Sequence, residues 1–219
     1  MKLDDTALTE TGLEATASSP GRVLLLACGA LAREILAIRD QAGLSHVDLT
    51  CLPAKLHNRP ELIPDAVEAA VTKHRADYEA IYVVYADCGS GGLLKARCDA
   101  LGVEMMEGPH CYAFYEGQDA FADKAEEEFT AFYLTDFIAR QFDTLIWKGL
   151  KLDKHPELRD MIFGNYTKVV YQAQVEDPAL EAKARAAAEK LGLAFEMRVT
   201  GYGELAEFVR QAGAATPDR

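Results

Sequence analysis

Apolar residues along the chain fall into short continuous runs. Between the runs they recur every three or four positions, the pattern of buried strands alternating with amphipathic helices. Arg22 to Cys28 (Arg-Val-Leu-Leu-Leu-Ala-Cys) stops at Gly29, as a strand covered on both faces would. Ala30 to Ala42 carries Leu31, Ile35 and Ile38 at helical spacing, and Val47 to Leu52 reads as a second short strand. Pro60 and Pro64 open a helix over Glu61 to Arg75 with Val67 and Val71 on one side. Ala80 to Ala86 is the strongest strand, followed by the turn Asp87-Cys-Gly-Ser-Gly-Gly92, a helix over Leu93 to Leu101 and a short strand at Val103 to Met106.

From about Ala120 to Leu150 the pattern predicts a long helical region, with Phe129, Phe132, Phe137, Ile138 and Leu145 as buried candidates. A helix from Pro156 to Gly164 follows. Strand, helix, strand, helix then resume over Lys168 to Gln174, Pro178 to Leu191, Ala194 to Val199 and Tyr202 to Gln211. The expected fold is α/β, a Rossmann-like three-layer parallel sheet with a helical insertion and right-handed crossovers. Residues 1–20 are expected to be a disordered N-terminal tail and 213–219 a disordered C-terminal tail. Residues 21–212 form one domain: a first lobe over about 21–116, the insertion over about 117–165 and the remaining αβ portion over about 166–212. The later strands either extend the first sheet or build a second lobe with a cleft; the pattern does not choose.

Composition narrows the function classes. The 219 residues carry a net charge of −12, which offers no basic field for a phosphate backbone, so nucleic acid is not an expected partner. No apolar run approaches the roughly 20 residues of a membrane span, and the first 20 residues lack the apolar core of a secretory signal. Five cysteines are an odd number and match no secreted disulfide framework. Reduced thiols and a cytoplasmic protein are expected.

Three of those cysteines fall where open α/β sheets bind ligands, beyond the carboxyl ends of strands. Cys28 ends the first strand, Cys88 follows the third, and Cys111 follows the fourth beside His110. Brought together, Cys28, Cys88, His110 and Cys111 would be a soft ligand set for zinc or Cu⁺. Buried structural thiols are the alternative for these three, and the expected role of Cys51 and Cys98. In the turn after the third strand, Gly89, Ser90 and Gly91 could present backbone N–H groups to an anion, or form a tight turn capped by Ser90. In the loop Leu56-His57-Asn58-Arg59-Pro60, His57 is a candidate acid or base and Arg59 a candidate partner for a carboxylate or phosphate. The run Glu126-Glu-Glu128 reads as a solvated helix face.

Five segments in order, Ala27-Cys-Gly29, Leu52 to Pro60, Tyr85-Ala-Asp-Cys-Gly89, Pro109-His-Cys111 and Phe163 to Tyr171, resemble a bacterial and archaeal domain-of-unknown-function family, DUF1638. The resemblance covers about Arg22 to Val209. It places Cys28, His57, Cys88, His110 and Cys111 at the family's motif positions. Where members often have His-Asp-Cys, this chain has His110-Cys111 directly, so a carboxylate that would orient the histidine is missing. Members commonly accompany corrinoid-dependent methyltransferase systems, which implies an accessory or catalytic role in one-carbon transfer. A corrinoid would then be a substrate or a partner's cofactor, and a corrinoid protein or corrinoid methyltransferase the partner. On this reading Cys111 and His57 would carry the chemistry: a thiolate, activated on zinc, accepts a methyl group while a histidine completes the metal shell or moves a proton. The alternative is a non-catalytic binding protein or chaperone for a corrinoid, a metal or a small methylated ligand. The chain has no Asp-x-His-x-x-Gly motif, so permanent carriage of a corrinoid is not expected.

Nine aromatic residues between Phe114 and Trp147 give either a central packing layer or, with part of that surface left over, a homodimer or partner contact.

Overall fold

The computed structural model describes residues 3–15 and 22–215. The chain divides into two compact units, Met1–Cys111 with Glu204–Arg219, and Tyr112–Gly203.

In the first unit the N-terminal helix α1 (Asp5–Glu10) precedes β1 (Val23–Cys28), α2 (Ala32–Gln41), β2 (Val47–Leu52), α3 (Ile63–His74), β3 (Ala80–Val84), α4 (Leu93–Leu101) and β4 (Glu104–Met105). All four strands run parallel in the order β2-β1-β3-β4. β1 is central and wholly buried, as its continuous apolar run demands; each of its three leucines contributes about 2 kcal/mol by leaving water. The chain goes from β1 outward to β2, then returns past β1 to β3. With right-handed crossovers, that reversal places α2 and α3 on opposite faces of the sheet and opens a crevice beyond the carboxyl ends of β1 and β3.

The first residues do not form the disordered tail expected of 1–20. Asp4 caps α1 through the Thr6 N–H (2.9 Å), Leu8 is buried, and Asp5 pairs with Arg33 (2.8 Å). Leu13 then bridges antiparallel to Cys51, exchanging N–H···O bonds of 2.9 and 2.7 Å. Gly12 allows this approach, since it lies at φ +83° and a Cβ there would sit 2.0 Å from the Cys51 carbonyl oxygen. One buried leucine and three polar anchors outweigh the polar composition of the segment. The remaining residues of that expected tail, 1–2 and 16–20, lie outside the described residues.

The C-terminal end is corrected in the same way. Helix α10 (Gly203–Ala214) belongs to the first unit from Glu204 onward, rather than to the αβ portion before it. Leu205, Val209 and Ala212 are buried, Phe208 meets Tyr82 edge-on (centroids 6.3 Å), and the Gly213 carbonyl is bonded to His46 (2.7 Å). Residues 216–219 lie outside the described residues.

The second unit contains α5 (Ala113–Glu116), α6 (Gln118–Asp123), β5 (Ala131–Thr135), α7 (Asp136–Phe142), α8 (Leu158–Phe163), β6 (Lys168–Ala173), α9 (Pro178–Leu191) and β7 (Ala194–Val199). A π-helical turn, Asp143–Lys148, continues α7. Its three strands form a separate parallel sheet in the order β5-β6-β7. The later strands therefore do not extend the first sheet. The helical insertion expected at 117–165 is corrected too, because it contains β5. Ala-Phe-Tyr-Leu-Thr is a short apolar run whose periodicity does not separate a strand from a buried helix turn, and its pairing with β6 decides the outcome. Phe137 and Leu145 are buried as expected, whereas Phe129 is 87% exposed. Other aromatics of this stretch pack within the unit: Tyr112 stacks on Tyr133 (4.8 Å) with Phe121 against both, and Phe132 meets Phe163 and Tyr166.

Glu128 overturns the solvated-face reading of its run. Its side chain is 8% exposed and is held by Arg198, Tyr133 and Lys168, with Glu116 and Glu196 also on Arg198. The Arg198 guanidinium, against the cost of burial and with help from the Tyr133 hydroxyl and Lys168, lowers the Glu128 carboxyl to about 2. The folded protein thus holds this proton less tightly than the unfolded chain does. Stability from Glu128 is present above the ordinary carboxylate range and is lost as pH falls from about 4.5 toward 2. Urea unfolding across this window should show wild type losing roughly 1–3 kcal/mol more than Glu128→Gln. Parallel acid limbs in the two proteins would refute the assignment.

Candidate thiol site

Three cysteines lie along the carboxyl edge of the first sheet. Cys28 closes β1, and Cys88 and Cys111 lie in the loops after β3 and β4. Backbone bonding beyond the strands continues the β3·β4 ladder: Met106 N–H to Val83 O (3.0 Å), Asp87 N–H to Gly108 O (2.9 Å) and Cys88 N–H to Pro109 O (3.0 Å). These bonds carry the two loops in register and set the Cys88 and Cys111 sulfurs 3.2 Å apart. Cys88 takes a left-handed backbone conformation, φ 48°, that costs a non-glycine residue about 1 kcal/mol. Strain of this kind collects at functional sites.

The sulfurs differ in their readiness to ionise. For Cys88, hydrogen bonding from Cys111 outweighs burial, and with the backbone N–H groups of Cys111 and Ala86 it lowers the thiol below its ordinary value. On Cys111 the same sulfur contact, with desolvation, pushes the thiol well above its ordinary value. Burial raises Cys28 to about 12, against the Ala30 N–H that its sulfur accepts at 3.5 Å. Cys51, also buried, is raised well above the ordinary value by desolvation and then by Cys28 and Glu34. Sequence reasoning missed Tyr85. It is buried, and its hydroxyl is driven far up by desolvation and then by Cys28, Cys111, Cys51 and Cys88, which places it electrostatically among all four sulfurs. A tyrosine two residues before Asp87-Cys88, at the end of a buried strand, was the available signal.

The expected ligand set is brought together only in part. Cys88 and Cys111 are in contact, Cys28 acts electrostatically on Cys111, and Cys88 acts on Cys28. His110 is half-buried, its imidazole lowered by desolvation against the pull of Asp87. His57 lies on a 3₁₀ turn (Ala54–Asn58), and its imidazole is lowered by desolvation and then by the His110 charge, which is within electrostatic reach. Among the described residues, no group of three or more His, Cys, Asp and Glu is arranged to hold a metal ion.

Gly89, Ser90 and Gly91 do not form an open anion cradle, because Asp87 fills it. Its carboxylate accepts from Ser90 Oγ (2.7 Å), Gly91 N–H (3.1 Å) and Gly92 N–H (2.7 Å). Against partial burial, these donors and the Gly89 N–H hold Asp87 below the usual carboxylate range. Ser90 Oγ in turn accepts from Leu94 N–H (3.3 Å) at the start of α4. The loop is an internally satisfied turn that fixes Cys88. Arg59 is exposed and pairs with Glu61 two residues on, so its charge is met locally.

A family model described as a protein of unknown function, DUF1638, matches residues 51–209. The chain belongs to the DUF1638 family. The match contains His57, Cys88, His110 and Cys111, while Cys28 and the whole of β1 precede it. No curated protein and no solved structure matches the chain. Among the described residues, no helix of this DUF1638 protein is long and apolar enough to cross a membrane.

Proposed function

We propose that this protein is a thiol-dependent group-transfer protein, with Cys88 as nucleophile and Cys111 as the donor that supports its thiolate. The transferred group is a methyl presented by a corrinoid protein. The observation that carries the thiol reading is the 3.2 Å Cys88–Cys111 contact beyond the carboxyl ends of the neighbouring parallel strands β3 and β4. The resemblance to a family that accompanies corrinoid methyltransferase systems supplies the electrophile. A thiolate is a suitable acceptor for it. The Cys88 sulfur forms a bond to the methyl carbon, the cobalt–carbon bond breaks, and its electron pair stays on cobalt. In this reading the proton released when the thiol ionises passes to His110 or His57, whose imidazoles are both held toward the neutral form. The corrinoid belongs to the partner in this reading, since the chain lacks the Asp-x-His-x-x-Gly motif. Zinc is left out, because two sulfurs supply half of the usual four ligands.

Incubating reduced protein anaerobically with methylcobalamin, and separately with a methylated corrinoid protein, tests the reading. One methyl per chain should appear on Cys88 by peptide mass spectrometry, with loss of the methyl-cobalt visible spectrum. A Cys88 that alkylates readily with iodoacetamide yet gains no methyl from either donor would overturn transfer. A corrinoid spectrum perturbed without methyl loss would put a binding role in its place.

A further inference from the structure

Disulfide chemistry needs two sulfurs that approach within bonding range without moving the backbone. The Cys88 and Cys111 sulfurs are 3.2 Å apart and half-buried, and a bond would close roughly 1 Å of that gap. The backbone bonds Asp87 to Gly108 and Cys88 to Pro109 hold the two loops side by side, so little chain entropy remains to be lost on closure. The other three cysteines, Cys28 on β1, Cys51 on β2 and Cys98 on α4, are buried, at 8%, 3% and 0% exposure.

We propose that Cys88 and Cys111 are a reversible dithiol–disulfide couple, oxidised by exchange with small disulfides of the glutathione class. Cys88 attacks one sulfur of the small disulfide, forming a mixed disulfide and releasing one thiolate. Cys111 then attacks the Cys88 sulfur of that mixed disulfide, releasing the second thiol and leaving the Cys88–Cys111 bond. The protein loses two hydrogens and two electrons, and the small disulfide becomes two thiols. The couple uses the residues of the transfer reading without depending on a methyl donor. While closed it removes the nucleophile, so the redox poise of the thiol pool sets how much protein is competent.

The test equilibrates the full-length native protein with graded ratios of reduced to oxidised glutathione, traps free thiols with N-ethylmaleimide and maps peptides by mass. Wild type should accumulate a Cys88–Cys111 cross-link, short by two hydrogens and reversed by dithiothreitol, while Cys28, Cys51 and Cys98 stay alkylatable after denaturation. Cys111→Ser should stop at glutathione on Cys88. Cys88→Ser, with unchanged far-UV circular dichroism, should slow total oxidation by more than about tenfold. Stable glutathione on wild-type Cys88 without the cross-link, or a cross-link through another cysteine, would overturn the couple. Methyl transfer is read separately on reduced protein, so each reading fails on its own measurement.

Discussion

Replacing Cys88 with Ser should abolish the fast phase of thiol alkylation at pH 7.5, lowering the observed rate with iodoacetamide by at least about a hundredfold. Only the thiolate reacts, and each unit by which a thiol's pKa exceeds the ambient pH removes about tenfold of it. Cys28 is raised to about 12 and Cys98 to about 11 by burial, and Cys51 and Cys111 stand well above the ordinary value. Cys88 alone is lowered, and it lies in a half-buried loop that a reagent can enter. Cys111→Ala is the informative companion, because it removes the hydrogen-bond donor and leaves Cys88 in place. The pH–rate profile should move upward toward the ordinary thiol value, with the rate at pH 7.5 falling about tenfold. A wild-type profile centred at the ordinary value, unmoved in Cys111→Ala, would show that the contact does not support the thiolate.

The second large effect is expected in the other unit, at Asp136. This carboxylate is 1% exposed at the end of β5. Its oxygens accept from Tyr171 Oη (2.7 Å), Gln174 N–H (3.2 Å) and Val175 N–H (3.2 Å), tying β5 to the chain leaving β6. Asp136→Ala strands three donors in a buried place and should cost roughly 3–4 kcal/mol, a fall of about 10 °C in Tm. Asp136→Asn keeps one acceptor oxygen but turns an amide N–H₂ toward a backbone donor, and should cost about half as much. The pH dependence runs opposite to that of Glu128. Desolvation outweighs the bonds from Tyr171, Gln174 and Val175, so the folded-state pKa of Asp136 is raised. The folded protein therefore binds this proton more tightly than the unfolded chain, and stability falls as pH rises from the unfolded carboxylate value through the raised one. Asp136→Asn should lack that decline. If both variants melt within about 2 °C of wild type, the carboxylate is not the clamp these bonds describe.

Strands and helices of the first unit were legible because their signals are local. The run ending at Cys28, the 3.6-residue spacing of Leu31, Ile35 and Ile38, and the glycines after Cys88 each depend on near neighbours. The cysteines at strand ends were legible for the same reason, as were α9 and β7, whose observed bounds coincide with the pattern. Strand β5, the docking of α1 against Cys51 and the return of α10 to the first unit were not. Each is stabilised by partners 35 or more residues away, such as Thr167 for Thr130, Cys51 for Leu13 and His46 for Gly213. Composition gave the wrong sign for Glu128, since a charge run reads as solvated until Arg198, 70 residues later, is found beside it.

At the site, chain order alone supplied the residue types and their places at the carboxyl edge: thiols after β1, β3 and β4, with His110 beside the last. Tertiary structure decided which of them meet. Strand order β2-β1-β3-β4 makes β3 and β4 neighbours, and their ladder carries Cys88 to Cys111 while His57 comes within electrostatic reach of His110. It also turned the expected anion cradle inward, because Asp87 reaches the N–H groups of Gly91 and Gly92 before any ligand can. Spacing along a chain specifies which groups end on one edge of a sheet. Contact between them depends on register and on competition from nearer partners, and both are settled only when the strands pair.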